Sequence, residues 1–452
     1  MPAMDPVVAR YAARGVPRYT SYPSAPHFKA DFPEGRYRGW LAALDPATPV
    51  SLYLHVPFCR QMCWYCGCNM KLARRYEPIA AYVDVLLEEL ALVSEALPAR
   101  MTLSHLHWGG GTPTALEPRD LARVMAAVRH RFDLAEDAEL AIESDPRTLT
   151  REMTHVIGAL GFTRASFGVQ EFNAQVQQAI NRVQPPAMVE SAVDALRSAG
   201  VGAINFDLIY GLPFQTAPSL AATVSAAAAM SPDRLALFGY AHVPWMAKNQ
   251  RMIPEEALPG PAARAEQASL AADTLETCGF TPIGIDHFAR PTDDLARAAR
   301  EGRLHRNFQG YTTDSAETLI GLGATAIGAT PFGHVQNLSE TRAWARAVEA
   351  GRLPVAKGLV FSGEDRLRAH VIERIMCDGR ADVAEAARRF GARPDWATES
   401  LSALGELVAD GLVLIEGPQV ALTPRGRPLA RIAAAAFDAY LHQGGARHSQ
   451  AV

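Results

Sequence analysis

The chain has 452 residues, of which 48% are hydrophobic and 20% are charged, so it can bury a large core and is not an intrinsically disordered protein. Its 44 basic and 48 acidic side chains give a formal net charge of −4, which argues against a protein that coats nucleic acid or an anionic membrane. No run of about 18 apolar residues occurs, and Met1–Pro26 lacks the apolar core of an export signal, so we predict a cytoplasmic protein outside the membrane.

Six runs rich in β-branched and aromatic residues predict strands, and segments of helical periodicity lie between several of them. The predicted strands are Ser51–Val56, Ser104–Trp108, Glu139–Glu143, Arg164–Val169, Ala203–Tyr210 and Arg234–Gly239. The predicted helices are Ile79–Val93, Thr150–Leu160, Met188–Ala199 and Leu220–Met230. Such alternation predicts a parallel sheet with right-handed crossovers. Six units are too few to close an eight-stranded barrel, so we predict an α/β fold with a partial (β/α)6 barrel, with a doubly wound sheet as the alternative.

Polar and glycine residues lie at or just past the carboxyl ends of the predicted strands. In chain order they are Cys59, Gly109–Gly111, Glu143, Gln170 and Asp207. Parallel α/β folds place their functional groups at this edge of the sheet, and unrelated core residues would not align in this way. The pattern therefore favours the barrel and predicts a site at its carboxyl-end rim.

The two ends of the chain differ in character from the central part. Residues 1–35 contain few periodic apolar residues and are predicted to form an irregular N-terminal arm, whereas 361–452 are predicted to form a mostly helical C-terminal domain. Its predicted elements are the helices Glu364–Met376, Thr398–Ala409 and Ile432–Leu441 and a hairpin of Gly411–Ile415 and Val420–Leu422. Helices with a hairpin resemble a winged-helix domain, which is often used on DNA. No basic stripe accompanies this shape, so we favour a lid or docking domain beside a catalytic domain of residues 36–360.

Four of the six cysteines, Cys59, Cys63, Cys66 and Cys68, directly follow the first predicted strand. In a cytosolic protein such a group indicates a metal site rather than a disulfide scaffold. Structural zinc sites usually take two separated pairs of ligands, and no second pair follows here. Three closely spaced thiolates can instead hold three corners of a [4Fe–4S] cube and leave the fourth iron open, so we predict such a cluster on Cys59, Cys63 and Cys66. Cys68 is a fourth ligand by count, but a single residue separates it from Cys66, which makes separate corners of one cube difficult to reach.

The spacing Cys59-x-x-x-Cys63-x-x-Cys66 is the signature of the radical S-adenosylmethionine (SAM) superfamily. Around it, the run from Tyr53 to Cys68 resembles the oxygen-independent coproporphyrinogen III oxidase family, including its extra cysteine. Four further stretches resemble the same family, and together they cover most of the chain. They are Pro17–Pro23 (PRYTSYP), His107–Pro113 (HWGGGTP), Asp286–Pro291 (DHFARP) and His305–Thr313 (HRNFQGYTT).

This resemblance implies a radical SAM fold, a [4Fe–4S] cluster and SAM as cofactors, and coproporphyrinogen III as substrate. The open iron would bind SAM, and an electron from the reduced cluster would cleave it to methionine and a 5′-deoxyadenosyl radical. That radical would take a hydrogen from a propionate side chain, and loss of carbon dioxide and one electron would leave a vinyl group. Reaction at two propionates would give protoporphyrinogen IX for haem biosynthesis. The electron donor and acceptor are unidentified, and we expect a monomer without nucleic-acid or membrane partners.

The resemblance also implies two SAM molecules per chain. By motif match, the residues expected at the first are Tyr53, Gly110, Glu143 and Ile327. Those expected at the second are Tyr65, Gly111, Thr112, Gln170, Arg182, Asp207 and Ala241. The alternatives are structural: an Asp207–Arg182 ion pair, a capping or ion-paired Glu143, and a tight turn at the glycines.

Two other functions and one further group of residues stay open. The implied substrate carries four carboxylates, so Lys248, Arg251, Arg290 and Arg306 are candidate binding cations, with solvated loop charge as the alternative. The rival functions are a radical-SAM-like haem chaperone without decarboxylase activity and a zinc-stabilised DNA-binding protein. By resemblance the chaperone branch lacks the counterparts of Cys68 and of the arm motif, and both are present here.

Overall fold

The computed structural model describes residues 7, 10–11 and 14–441, and contacts group them into two compact units. The barrel unit comprises Lys29–Pro259 and Asp314–Val360. The terminal unit comprises Gly260–Thr313 together with the described residues of Met1–Phe28 and Phe361–Val452. The division into arm, catalytic domain and C-terminal domain stays a prediction, and these contacts group Gly260–Thr313 with the two ends of the chain.

The strands and helices have the following bounds. The strands are β1 (Lys29–Ala30), β2 (Val50–Val56), β3 (Phe58–Cys59), β4 (Lys71–Leu72), β5 (Thr102–Gly110), β6 (Asp133–Ser144), β7 (Arg164–Gln170), β8 (Ala203–Tyr210), β9 (Arg234–Gly239), β10 (Thr281–Ile283), β11 (His287–Ala289), β12 (His305–Asn307), β13 (Gly310–Thr312), β14 (Thr318–Leu322), β15 (Ile327–Thr330), β16 (Gly333–Asn337), β17 (Val355–Val360), β18 (Arg380–Asp382), β19 (Val413–Glu416) and β20 (Gln419–Leu422). The helices are α1 (Glu34–Ala42), α2 (Glu77–Ala96), α3 (Pro118–Arg131), α4 (Arg151–Ala159), α5 (Ala174–Ala179), α6 (Pro186–Ser198), α7 (Ala217–Ala229), α8 (Pro261–Thr277), α9 (Asp294–Arg300), α10 (Thr341–Glu349), α11 (Asp365–Asp378), α12 (Val383–Phe390), α13 (Thr398–Ala403), α14 (Gly405–Ala409) and α15 (Ala430–Ala435).

The barrel unit is built on six parallel strands that neighbour one another in chain order, β2, β5, β6, β7, β8 and β9. A doubly wound sheet reverses its strand order at a switch point, so this order confirms the predicted partial barrel over the alternative. On its other side β2 pairs with the parallel strand β14, and β15, β16 and β17 continue the sheet in antiparallel order. The carboxyl ends of the six strands therefore share one rim.

All six predicted strands are present, and the differences lie at their ends. β8 and β9 have the predicted bounds, whereas β5 starts two residues earlier and runs on to Gly110. The sequence analysis does not predict α3, although Leu121, Val124 and Val128 form a buried stripe at helical spacing along it. Among the described helices, none combines the length and the apolar surface that crossing a lipid bilayer requires.

The terminal unit has a hydrophobic core of its own. Tyr11, Val16 and Tyr19 from the N-terminal segment are buried together with residues of α11 and α15. The predicted hairpin is present as β19 and β20, and β18 extends it to a three-stranded antiparallel sheet in the order β18-β20-β19. The predicted helix Thr398–Ala409 is two helices separated at Leu404, and the last predicted helix is the shorter α15. The role of the C-terminal domain as a lid stays a prediction.

Candidate functional site

The four-cysteine loop follows β2 and lies at the carboxyl-end rim of the parallel strands. Its first part, β3, pairs with β4, and the main-chain N–H of Ala73 donates to the oxygen of Cys59 at 3.0 Å. The side-chain amide of Asn249 donates to three main-chain oxygens, those of Cys63 (3.1 Å), Trp64 (3.2 Å) and Cys66 (2.8 Å). Gln250 donates to the oxygens of both Tyr65 (2.8 Å) and Ala241 (3.1 Å). These bonds hold the main chain of the loop and so restrict where its thiols can lie.

The environments of the three predicted ligand thiols differ. Cys63 Sγ accepts hydrogen bonds from Arg147 Nη2 and Arg182 Nη1, both at 3.3 Å. A hydrogen bond from the Cys68 thiol lowers the pKa of Cys66 to about 7 although burial opposes it, and the N–H of Cys68 also donates to Cys66 Sγ at 3.4 Å. Burial raises the pKa of Cys59 to about 11. Cys63 and Cys66 thus accept hydrogen bonds from N–H donors, whereas the contact of Cys59 is the hydroxyl of Thr112 at 3.5 Å.

These residues fit an iron–sulfur cluster. All six cysteines are free thiols. The described residues contain no group of three or more His, Cys, Asp or Glu side chains arranged to hold a single metal ion. A cubane takes each thiolate on a different iron, so its ligands need not converge on one point. Cys68 is an exposed residue whose thiol donates a hydrogen bond to Cys66, and this bond raises its pKa well above the usual value, which suits a neighbour of the third ligand better than a fourth thiolate.

Behind Cys63 lies a buried network of one carboxylate and two guanidiniums. Asp145 Oδ2 is 2.6 Å from Arg147 Nη2 and 3.4 Å from Arg182 Nη1, and the two guanidinium side chains are only 4% and 7% exposed. Burial acts to raise the pKa of Asp145, but Arg182 and Arg147 hold it below its usual range. The partner of Arg182 is therefore Asp145 and not Asp207, which corrects the structural alternative considered from the sequence. Arg147 was not predicted, although it follows Asp145-Pro146 directly after β6.

Three of the residues expected at the first SAM lie together. Glu143 accepts hydrogen bonds from the N–H of Gly110 and from His107 Nε2, both at 3.1 Å. The ring of Tyr53 stacks on that of His107 at 5.8 Å, and its hydroxyl lies 3.0 Å from His55 Nδ1. His55 and His107 were not among the predicted site residues. Their position could have indicated them, since His55 follows Tyr53 by two residues on β2 and His107 pairs with Tyr53 on β5. Ile327 begins β15, separated from β2 by β14 alone.

The glycine triplet is required by contacts within the protein. A Cβ on Gly111 would lie 2.8 Å from the oxygen of Phe58 and 2.9 Å from the carbonyl carbon of Pro57. Gly110 has a φ of +116°, and a Cβ there would meet the ring of His55 at 2.7 Å. The triplet thus lets β5 run close beside the start of the cysteine loop. This packing explains the glycines whether or not a ligand also approaches them.

The residues expected at the second SAM are connected to one another, or to the cysteine loop, by hydrogen bonds and strand pairing. Thr112 Oγ1 is 3.5 Å from Cys59 Sγ, and Gln250 joins Tyr65 to Ala241. Gln170 ends β7 with a φ of +66°, beside the strand that carries Asp207. Burial raises the pKa of Asp207 to about 7, and Glu143 acts in the same direction. Asp207 has no ion-pair partner among the described residues, so the rim offers an unpaired carboxyl group to a ligand.

Comparisons with known proteins cover nearly the whole chain. A sequence model of the Radical SAM superfamily matches residues 53–227. The chain is 49% identical over 442 residues to oxygen-independent coproporphyrinogen III oxidase of Bradyrhizobium diazoefficiens, with 98% of each chain covered. It is 38% identical over 438 residues to the Escherichia coli protein of that name, covering 97% of this chain and 95% of the relative. The solved structure of coproporphyrinogen III oxidase from E. coli, a radical SAM enzyme, superposes with a TM-score of 0.90 over 94% of this chain and 98% of that one, at 38% identity.

Proposed function

Since the chain belongs to the oxygen-independent coproporphyrinogen III oxidases of the radical SAM superfamily, we propose that it decarboxylates two propionates of coproporphyrinogen III to vinyl groups, giving protoporphyrinogen IX. It is an oxidoreductase of the radical SAM type. The observation that carries the proposal is the three-thiol loop at the rim of the parallel strands, next to Glu143 and the unpaired Asp207. The relatives are named as oxidases, which supports this function and not that of a haem chaperone.

We propose that Cys59, Cys63 and Cys66 hold a [4Fe–4S] cluster. When bound, the cluster supplies the electron that cleaves SAM reductively. Arg147 and Arg182 offset negative charge at Cys63, and Asn249 keeps the loop in shape. Asp207 suits a cationic ligand such as SAM, because a carboxyl group at an enclosed rim is stabilised as a carboxylate by a nearby positive charge.

Two SAM molecules per chain are part of the same proposal. Support comes from two groups of residues: Tyr53, Gly110 and Glu143 lie together, and Arg182 and Tyr65 influence each other electrostatically. We expect equilibrium dialysis of the cluster-loaded chain to give two SAM bound per chain. A saturating ratio of one would reject the second site and leave the first intact.

An anaerobic assay tests the proposed function directly. Chain reconstituted with iron and sulfide should convert coproporphyrinogen III to protoporphyrinogen IX in the presence of reductant and SAM, releasing 5′-deoxyadenosine. Cleavage of SAM without a porphyrin product would reject this substrate. Replacement of Cys59, Cys63 or Cys66 by Ala should abolish both products and the bound iron, whereas Cys68→Ala should keep a cluster.

We propose a cytoplasmic monomer that receives electrons from an unidentified donor and passes the electron released at each decarboxylation to an unidentified acceptor. Sedimentation of the cluster-loaded chain at micromolar concentration tests the monomer, since a dimer would double the sedimenting mass.

A further inference from the structure

Three of the family-like stretches lie in the terminal unit. They are Pro17–Pro23, Asp286–Pro291 and His305–Thr313. The structure brings them together: Arg306 Nη2 lies 3.4 Å from the main-chain oxygen of Arg18, and the ring of His287 packs edge-on against that of Tyr311 at 5.2 Å.

The guanidinium of Arg306 stacks on an aromatic ring, and only part of its hydrogen-bonding capacity is used. Its guanidinium lies 4.3 Å above the centre of the Tyr311 ring, and the Tyr311 hydroxyl donates to the oxygen of Met376 at 2.9 Å. Nε and Nη1 of Arg306 are buried, and neither has a hydrogen-bond partner among the described residues. Buried guanidinium N–H groups without acceptors are costly, so two preoriented donors are available for an anion.

Positive charge is in excess around Arg306. Asp286 is the nearby carboxylate, and its Oδ1 is already 2.7 Å from His287 Nδ1. Burial acts to raise the pKa of Asp286, but His287, Arg306 and Arg18 keep it below the usual range. Burial lowers the pKa of Arg431 to about 10, and Arg18 and Arg306 act in the same direction. Three guanidiniums therefore act on one another around one carboxylate.

The other charged groups of this region have evident structural roles. Arg431 donates to the main-chain oxygens of Pro17 (3.0 Å) and Val16, so it anchors the N-terminal segment. Glu373 accepts from His305 Nδ1 and from the main-chain N–H of Arg306, both at 3.2 Å, and also pairs with Arg374. Arg290 donates to the oxygen of Cys278 and stacks on the Phe280 ring at 4.1 Å. Of the two candidate cations in the terminal unit, Arg306 therefore keeps unused donors, whereas Arg290 is engaged in packing.

We propose that Arg306 and Arg18 form a carboxylate-binding site in the terminal unit, which takes one propionate of the tetrapyrrole substrate. The inference rests on the proposed function, because it assigns a position to one of the four carboxylates of coproporphyrinogen III. A guanidinium binds a carboxylate through paired N–H donors, and the Tyr311 ring keeps that of Arg306 in one orientation.

Binding of coproporphyrin III, the oxidised and redox-inert form of the substrate, tests the site without turnover. Fluorescence titration of the cluster-loaded chain should give a dissociation constant about tenfold higher, or higher still, for Arg306→Gln and for Arg18→Gln than for the wild type. This is the effect expected for loss of a charge-assisted hydrogen bond. Arg306→Lys should lose less, since it keeps the charge. Arg303→Gln, which removes an exposed arginine of the same unit, is the matched control and should bind like the wild type.

Two further measurements distinguish a carboxylate site from a structural cluster. The tetramethyl ester of coproporphyrin III should bind the wild type and Arg306→Gln equally weakly, because it has no carboxylates. Added salt should weaken binding to Arg306→Gln less than binding to the wild type. Equal affinity of coproporphyrin III for wild type, Arg306→Gln and Arg18→Gln would overturn the proposal. Because Arg18 is exposed, its variant decides the matter should Arg306→Gln fold poorly.

Turnover separates this inference from the proposed function. If the wild type forms no protoporphyrinogen IX, the proposed function fails. If the wild type is active and Arg18→Gln and Arg306→Gln have an unchanged KM for coproporphyrinogen III, the carboxylate site fails and the function stands. The expected result is a KM raised about tenfold, with the cluster's electron paramagnetic resonance (EPR) spectrum and SAM affinity unchanged.

Discussion

Cys63 differs from Cys59 and Cys66 in the charge of its hydrogen-bond donors. Both donors to its sulfur are guanidiniums, and Asp145 balances only one of the two positive charges. Hydrogen bonds and positive charge at a ligand sulfur stabilise the reduced, more negative state of an iron–sulfur cluster. Reductive cleavage of SAM would start from that reduced state, so we expect these arginines to make a cluster bound at Cys63 easier to reduce.

We expect Arg147→Gln to lower the midpoint potential of the cluster by about 60 mV, the one-electron equivalent of a charged hydrogen bond. The iron content should not change, because Arg147 is not a ligand. An EPR-monitored redox titration measures the shift, and Arg119→Gln, a change at an exposed arginine paired with Glu117, is the control. A potential equal to that of the wild type would show that Arg147 serves only to position Asp145.

The cysteine loop could be recognised from the sequence as a candidate cluster site, and its ligand set stays a prediction, but the surroundings of the loop could not be predicted. The spacing of Cys59, Cys63 and Cys66 predicts a cluster loop because few other kinds of site place three thiols within eight residues. Asn249 holds the same loop from more than 180 residues away. Its position after β9 has no local pattern, and only the folded chain brings the amide to the loop.

At the scale of elements, the contact between the end of β5 and the start of the cysteine loop depends on Gly111. The main-chain N–H of Gly111 donates to the oxygen of Val56 at 2.8 Å, which leaves no room for a side chain. A Cβ would press on the main chain of Pro57 and Phe58, directly before Cys59. Main-chain atoms cannot rotate away as a flexible side chain can.

Gly111→Ala should therefore destabilise the chain by about 1–3 kcal/mol, as overpacking commonly does. The iron retained after reconstitution should also fall, because the displaced segment carries the first ligand. Gly202→Ala is the matched control, since a Cβ there meets no atom within 4 Å. The melting temperature at a fixed scan rate and the iron content check both variants. Equal melting temperatures for the two variants would contradict the expected clash.

The elements that sequence patterns predict are those with a strong local signal. β8 and β9 are apolar runs bounded by turns, and both have the predicted bounds. β14, β15 and β16 were not predicted, because each is only four or five residues long and contains a glycine, so its local preference for extended structure is weak. Hydrogen bonding of β14 to β2, and of β15 and β16 in turn, stabilises the extended conformation that their own sequences favour only weakly.

At the scale of the whole molecule, chain order predicted the singly wound barrel but not the grouping of distant segments. The alternation of strands and helices predicts the order of β2 and β5–β9 in the sheet, because each right-handed crossover places the next strand beside the previous one. The packing of Gly260–Thr313 with both ends of the chain depends on contacts between residues hundreds of positions apart. Periodicity reports only which face of an element is buried and not which partner covers it.

An ion-pair group centred on Glu139 of β6 connects strands of the barrel unit. Glu139 Oε2 is 3.0 Å from Arg164 Nε at the start of β7 and 3.9 Å from Arg234 Nη2 at the start of β9. Burial acts to raise the pKa of Glu139, but these two arginines lower it to about 2 from the usual 4.5. One carboxylate therefore ties three parallel strands together.

The sign of the resulting pH dependence follows from the lowered pKa of Glu139. Its stabilisation is fully present above about pH 5 and is lost as the pH falls from 4.5 towards 2, and it amounts to about 3 kcal/mol at neutral pH. Glu139→Gln should lower the melting temperature at pH 7, and its deficit relative to the wild type should shrink between pH 5 and pH 3. Melting the cluster-free chain avoids any contribution from acid-labile iron, and Glu136→Gln, an exposed change on the same strand, should follow the wild type throughout. A deficit that stays constant from pH 7 to pH 3 would mean that Glu139 has the same pKa in the folded and the unfolded chain, and would contradict its stabilisation by the two arginines.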